Sequence, residues 1–202
     1  SHATLSPRLT VMEPETFKDC RSLVQAYLPS GIRTLGNDVF KNCTSLETLQ
    51  LPDTVDELGT GVFAGATTLR SVRFTGPPPQ VASPLGLPAD TVINFLPIHP
   101  GWSETFQGLP TRAWLPSLRV RSTAEGGAFL ELTIEWAEGQ TVVLEASDSL
   151  SSPGWVPVST YRLPLFPFSL TVPQADMAAS RFFRVTPATS SSSESLNRHI
   201  PP

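Results

Sequence analysis

The first third of the chain carries a pattern of apolar residues that repeats every 23 positions. Phe17, Phe40 and Phe63 mark this period. Each lies in an eight-residue phrase that ends in a leucine, and the three phenylalanine phrases are 16–23, 39–46 and 62–69. Further columns recur with the same shift: Leu9, Ile32 and Val55; Met12, Leu35 and Leu58; Leu5, Leu28, Leu51 and Phe74; Ala26, Leu49 and Val72; Cys20, Cys43 and Ala66. A fixed period of this size is typical of a solenoid, in which stacked repeats bury one continuous core.

Each repeat is predicted to contain one short strand and one turn. Leu46, Leu49 and Leu51 follow the spacing of a leucine-rich repeat, and the last two alternate as a strand with one buried side should. Pro52 then ends the strand because it has no amide to donate. The phenylalanine phrase is too short for a long helix, so we expect one helical or 3₁₀ turn there. Gly59 is expected to adopt a positive φ.

The repeat pattern is predicted to stop at Gly76. The run 76–79 contains three prolines after this glycine, and residues 80–89 are expected to form irregular coil. One further strand is predicted within 91–97. Because the last repeat would leave an apolar end open, we expect three aromatic side chains to cover it: Trp102, Phe106 and Trp114.

The second half of the chain switches to short, β-rich segments. Its apolar residues alternate with polar ones, as in the stretch 130–136, and glycine and proline separate the segments. Six or seven strands in about 70 residues suggest an antiparallel β-sandwich. The predicted organisation is a solenoid over 1–76, its C-terminal cap and linker over 77–115, a sandwich over 116–187 and a disordered tail over 188–202. The fold class is therefore mainly β.

The repeats resemble BspA-like leucine-rich repeat proteins, whose run Ile-x-x-Ile-Gly-x-x-x-Phe-x-x-Cys-x-x-Leu-x-x-Leu-x-Leu-Pro is matched here from Ile32 to Pro52. With the closing segment, the resemblance covers residues 5–115. Residues 117–187 resemble a fibronectin-like C-terminal module of secreted bacterial proteins of the verrucomicrobial type. Together the resemblances imply a secreted or cell-surface bacterial protein with a role in adhesion, and a sandwich that serves as a spacer or attachment module.

The charge balance argues against some partners. The formal net charge is −4, and only 16% of residues are charged. Without a basic stripe, nucleic-acid binding is not expected. No apolar run approaches the ~20 residues of a membrane span.

The beginning of the chain leaves two possibilities. Leu5 already occupies the strand column, so the N-terminus is either a cap without a partner strand or the cut end of a longer solenoid. We favour the second, and an open solenoid end would permit self-association.

Cys20 and Cys43 occupy equivalent positions in neighbouring repeats. Stacked strands lie about 4.8 Å apart, which falls within the roughly 4.4–6.8 Å Cα window of a disulfide. Their Cβ vectors would run parallel, however, which favours two packed thiols over a bond. Two cysteines without a nearby histidine also fall short of a zinc site.

Nothing in the sequence predicts catalysis, a metal or a cofactor. The three histidines are scattered, and no nucleophile motif or phosphate-binding loop occurs. Glu131 and Glu135 would lie about 13 Å apart on one strand face, too far for glycoside hydrolysis. Trp136 and Trp155 could stack on sugars, but core packing is favoured for both.

The exposed face of the solenoid sheet is the candidate binding surface. An aromatic, an amide and a guanidinium in one row suit recognition, although the same residues could be ordinary solvated strand positions. The candidate residues form two columns: Tyr27, Gln50 and Arg73; Gln25, Thr48 and Ser71. The predicted function is non-catalytic binding of a protein or glycan. The alternative is an accessory C-terminal region of a larger secreted hydrolase.

Overall fold

A computed structural model describes residues 2–123, 129–137, 139–150, 154–164, 168–173 and 182–188. These residues form strands and turns, and none of them is helical. The chain divides into two compact units, Ser1–Trp114 and Leu115–Pro202. The prediction of a mainly β fold is therefore confirmed.

The first unit is a solenoid with two sheets. The larger has the order β1-β3-β5-β7-β9-β11-β10, in which only the β10–β11 pair is antiparallel, and the smaller has the parallel order β2-β4-β6-β8. The strands are β1 (His2–Thr4), β2 (Val11–Met12), β3 (Gln25–Tyr27), β4 (Thr34–Leu35), β5 (Thr48–Leu51), β6 (Glu57–Leu58), β7 (Ser71–Phe74), β8 (Gln80–Val81), β9 (Val92–Phe95), β10 (Thr105–Phe106) and β11 (Leu109–Ala113).

The strand register reproduces the 23-residue period. Thr48 pairs with Ser71 and Thr34 with Glu57, and each partner lies one 23-residue repeat later in the sequence. The repeat also continues past Gly76, where the sequence predicted that it would stop, because β8 pairs with β6 in the same register. The prolines of this run lie between β7 and β8, where no ladder amide is needed, so they do not end the stack.

The repeated phenylalanines form a stack inside the solenoid. Phe40 and Phe63 are fully buried, and Phe17 is half-buried at the start of the stack. The ring centroids of Phe17 and Phe40 lie 5.4 Å apart and those of Phe40 and Phe63 6.1 Å apart, with nearly parallel planes. The columns of leucine, isoleucine and valine around them belong to the same buried cluster. Each apolar column of the sequence is thus a column of core.

The phenylalanine phrases form successive turns and not the expected helical or 3₁₀ turn. Within the first phrase, Cys20 N donates to Phe17 O at 3.1 Å, while Phe17 N donates to Val39 O of the next repeat at 2.9 Å. In every repeat, the residue just before the phrase and the fourth residue within it adopt a positive φ, at positions 15 and 19, 38 and 42, and 61 and 65. A right-handed helix requires negative φ throughout, so these positions exclude it and leave alternate amides free to bond between repeats.

Gly59 does not adopt the positive φ that was predicted for it. A Cβ at this position would lie 2.7 Å from Asn37 N and 2.7 Å from Gly36 C, both backbone atoms of the preceding repeat. Glycine is therefore required for the close approach of neighbouring coils. The positive φ belongs to Gly61 and Gly65 instead.

Two of the three predicted aromatic residues close the end of the solenoid core. The Trp102 ring lies 4.9 Å from that of Phe74 and 5.3 Å from that of Phe95, and its Nε1 donates to Gly76 O at 3.1 Å. Phe106 packs against the same cluster. Trp114 is the exception, because its ring lies beneath an arginine outside the core.

The second unit contains two three-stranded antiparallel sheets, β12-β13-β16 and β15-β14-β17. Residues from both sheets share one apolar cluster that includes Leu132, Ile134, Val142 and Leu144, which is compatible with a sandwich. The strands are β12 (Ser117–Thr123), β13 (Phe129–Glu135), β14 (Thr141–Ser147), β15 (Val156–Arg162), β16 (Phe168–Pro173) and β17 (Phe182–Pro187). The predicted tail over 188–202 lies, apart from residue 188, outside the described residues.

Candidate binding surface

The outward face of the seven-stranded sheet carries one row of polar side chains across five neighbouring strands. We call this set the outer row; in strand order its members are Tyr27, Gln50, Arg73, Asn94 and Arg112. It faces outward because the flanking positions Leu49, Leu51, Val72 and Phe74 are buried. At the spacing of adjacent strands, the row extends about 19 Å.

The second predicted column lies beside the outer row on the same face. Thr48 pairs with Ser71, and Gln25 lies two residues before Tyr27, so strand alternation gives all three the same orientation. Gln25 is exposed, whereas Thr48 and Ser71 are half-buried. Asn94 Nδ2 joins the two columns by donating to Ser71 Oγ at 3.0 Å. All six residues predicted for this surface are therefore on one face.

Arg73 is held in place by an aromatic ring. Its guanidinium carbon lies 4.9 Å from the centroid of the Trp114 ring, a cation–π distance. Trp114 follows β11 directly, and its backbone N–H donates to Phe95 O at 2.7 Å, which fixes the main chain of Trp114 at this end of the sheet. The residue expected to cap the core thus supports a side chain of the outer row.

The charges of the outer row are not neutralised within the solenoid. Neither Arg73 nor Arg112 makes an ion pair with a carboxylate among the described residues. Arg70, at the margin of the same face, is paired with Asp90. Tyr27, at the other end of the row, is 54% exposed, so most of its ring is accessible to a ligand.

Asn94 and Arg112 were not predicted from the sequence because they follow the regular repeats. The offset between β7 and β9 is 21 residues and that between β9 and β11 is 18, so a shift of 23 does not find them. The available signal was the apolar pair Ile93 and Phe95, which continues the buried columns of Val72 and Phe74 and leaves Asn94 facing outward.

The two thiols are unbonded, as favoured from the sequence. Cys43 is buried, and its Sγ donates to Phe17 O at 3.1 Å. Burial raises the pKa of this thiol to about 11, because the thiolate would lose its solvation. No group of three or more His, Cys, Asp and Glu side chains that could hold a metal occurs in the described ranges.

The second unit contains Glu135, Trp136 and Trp155, three residues that the sequence analysis considered as candidates for chemistry or sugar binding. Glu135 lies 3.8 Å from Arg119, and Trp136 packs against the apolar cluster as expected. Trp155 does not, since it is absent from that cluster and its ring lies 4.4 Å from the Arg184 guanidinium carbon. Arg184 Nε in turn donates to Glu145 at 2.7 Å. Among the described residues, half-buried Trp155 thus lies outside the apolar cluster, contrary to the prediction.

No helix that could cross a bilayer is found in the part of the chain that the structure describes.

Comparison with known proteins agrees with the 23-residue repeat of the solenoid: residues 1–81 match the family model described as BspA type Leucine rich repeat region (6 copies). No curated protein and no solved structure gives a significant match. The fibronectin-like resemblance of residues 117–187 stays a prediction. Residues 1–81 are thus similar to the BspA-type leucine-rich repeats, as their 23-residue period and stacked phenylalanines indicate.

Proposed function

We propose that this chain is a non-catalytic binding protein that presents the outward face of its solenoid sheet to a protein or glycan partner. We further propose that it acts outside a bacterial cell, secreted or at the surface, where BspA-type repeats are typically found. Adhesion is the role that this combination supports best.

The observation that carries the proposal is the continuity of the outer row. Five strands contribute one outward side chain each, and these side chains supply an aromatic ring, two amides and two guanidinium groups. Such groups can form hydrogen bonds and stacking contacts with a ligand. The paired strands also fix the spacing of the backbone positions from which these side chains extend, so the backbone need not be ordered on binding.

The proposal is tested by presenting the full chain to arrays of glycans and extracellular-matrix proteins. The double variant Tyr27→Ala/Arg73→Ala removes both ends of the regular part of the row, and we expect it to bind at least tenfold more weakly. The matched control is Glu57→Ala on the four-stranded sheet, an exposed position at the same period. A double variant that keeps the affinity of the unaltered chain, with both proteins folded, would remove this face as the binding surface.

A further inference from the structure

We propose that the outer row binds a carboxylate-bearing polysaccharide and that Arg73 and Arg112 contact its carboxylates. This inference rests on the proposed function and names the chemical class of the ligand. It arises from three features of the surface: the position of its positive charges, the support of one guanidinium by Trp114, and the absence of aliphatic side chains in the row.

The positive charges of the outer row are concentrated although the chain is acidic overall, with a formal net charge of −4. Arg73 and Arg112 flank Asn94 on the two adjacent strands, so two strand spacings, about 10 Å, separate their backbones. Neither is neutralised by a carboxylate of the described residues, whereas four other arginines are: Arg33, Arg70, Arg119 and Arg184. Uncompensated charge of one sign on one face attracts ligands of the opposite sign.

The geometry of Arg73 suits a carboxylate. Its guanidinium carbon lies 4.9 Å from the centroid of the Trp114 ring, and the planar group presents a fork of N–H donors along its edge. That edge can donate two parallel hydrogen bonds to a carboxylate, which an ammonium group cannot do. Asn94 lies between the two arginines, and its Nδ2 donates to Ser71 Oγ, which leaves the amide oxygen to accept a hydrogen bond from a hydroxyl.

The composition of the outer row favours a polysaccharide over an acidic peptide. Protein interfaces centre on apolar pockets that are fully desolvated, and the outer row has one aromatic and no aliphatic side chain. The strands β3, β5, β7 and β9 are each paired on both sides, so none of them offers an edge to an added peptide strand. Tyr27, 54% exposed, provides a flat ring on which a sugar can stack.

The test measures binding of the full chain to three uronate polymers: polygalacturonate, alginate and hyaluronate. Methyl-esterified polygalacturonate, a neutral β-glucan and poly-L-glutamate serve as comparisons, each at low and high salt. We expect at least one uronate polymer to bind, with loss of affinity on esterification and at high salt, because screening weakens exposed charge pairs. Arg73→Gln and Arg112→Gln should each weaken binding at least tenfold, because each removes charge-assisted hydrogen bonds to a carboxylate.

Two further variants separate ligand contact from structural support. Arg21→Gln, at an exposed arginine outside the outer row, is the matched control and should bind as the unaltered chain does. Trp114→Ala should weaken binding although Arg73 is intact, and Trp114→Phe should restore it by supplying a ring. Melting temperatures of all variants are measured alongside, so that a loss of folding is recognised.

Several outcomes would overturn the inference. These are no binding to any of the three uronate polymers, equal binding to the esterified or neutral polymer, and equal or tighter binding to poly-L-glutamate. If a ligand from the arrays depends on Tyr27 but is insensitive to salt and to both arginine substitutions, the proposed function stands and the carboxylate inference fails. If it is insensitive to Tyr27 and both arginines, both fail.

Discussion

The two units of this chain reach β structure by different routes. In the solenoid, parallel strands pair in register, so most residues neighbour their own counterparts from the preceding and following repeats. In the sandwich, antiparallel strands bring together residues from unrelated sequence contexts, as when Leu144 pairs with Ser159 on one side and Val185 on the other. In the solenoid, the residue type at one position of the repeat therefore recurs along a whole column of stacked side chains. In the sandwich, the residue at one position has neighbours that the sequence pattern does not repeat.

The difference extends to the surfaces. The outer row of the solenoid repeats along the sheet, and its arginines have no acidic partner among the residues that the structure describes. On the sandwich, the exposed Arg184 is satisfied locally by Glu145 and by the Trp155 ring. A continuous row with unneutralised charge is available to a ligand, while a closed local cluster stabilises its own sheet. This contrast is why we propose that a ligand binds the solenoid.

The largest expected effect comes from the phenylalanine stack. Phe40→Ala removes a fully buried ring that contacts a ring on each side, and we expect the free energy of unfolding to fall by about 3–5 kcal/mol. Phe17→Ala, at a half-buried ring with one stacking neighbour, should cost less. Denaturant unfolding measures both, and equal costs would show that stacking between repeats does not add to stability.

The next effect tests the close approach of neighbouring coils. Gly59→Ala would place a Cβ 2.7 Å from backbone atoms of the preceding repeat, and we expect a loss of about 1–3 kcal/mol from overpacking. Gly31→Ala is the control, because its Cβ would meet the nearest atom at 3.4 Å. Thermal unfolding of the two variants should separate them clearly. A Gly59→Ala chain as stable as Gly31→Ala would contradict the spacing of the coils.

The turns provide a smaller effect. Asn42 has a φ of 58°, and its Nδ2 donates to Asp19 Oδ1 at 2.9 Å. Asn42→Ala loses this bond and places a side chain without polar groups in the left-handed region, at a cost of about 1–2 kcal/mol. Asn42→Gly should cost less, since Gly65 occupies the equivalent position one repeat later. The two variants are compared by denaturant unfolding, and the reverse order of stability would contradict the turn conformation.

The last effect is a pH dependence of the solenoid's stability that appears only at alkaline pH. The pKa of Cys43 is raised from its ordinary value of 9.0 to about 11 by burial, so the unfolded chain loses this proton before the folded chain does. The contribution to stability is fully present below pH 9 and is lost as pH rises through 11. Cys43→Ala, which copies Ala66 of the next repeat, should reduce this alkaline loss. An identical decline of unfolding free energy in both proteins would show that Cys43 does not titrate in this window.

Sequence periodicity predicted most of the solenoid because the same side chains recur at the same depth. The buried columns, the strand that ends at Pro52 and the outer row through Arg73 all follow from a shift of 23. The reason for each glycine was harder to predict. The sequence alone does not distinguish a glycine that adopts a positive φ, such as Gly61, from one that allows two coils to approach closely, such as Gly59. The strand at Gln80–Val81 was missed because three prolines precede it, although they lie in the connection and not in the ladder.

The 23-residue shift also predicted only part of the candidate binding surface. Asn94 and Arg112 belong to shorter repeats, so the fixed shift does not find them, and the stacking of Trp114 under Arg73 depends on a chain path that the spacing does not specify. In the sandwich, alternation predicted all six strands, but it could not assign Trp155, because a residue before the first position of a strand has no defined face.

The most direct test of the binding assignment uses the two tyrosines of the chain, Tyr27 and Tyr161. Tyr27 is exposed in the outer row, whereas Tyr161 is half-buried against the sandwich core and serves as an internal control. The rate of tyrosine-selective labelling is measured by mass spectrometry with and without a saturating amount of the ligand that the arrays identify. We predict that the ligand slows labelling of Tyr27 severalfold and leaves Tyr161 unchanged. Unchanged labelling of Tyr27 at saturation, or protection of Tyr161 alone, would contradict the assignment of binding to the solenoid face.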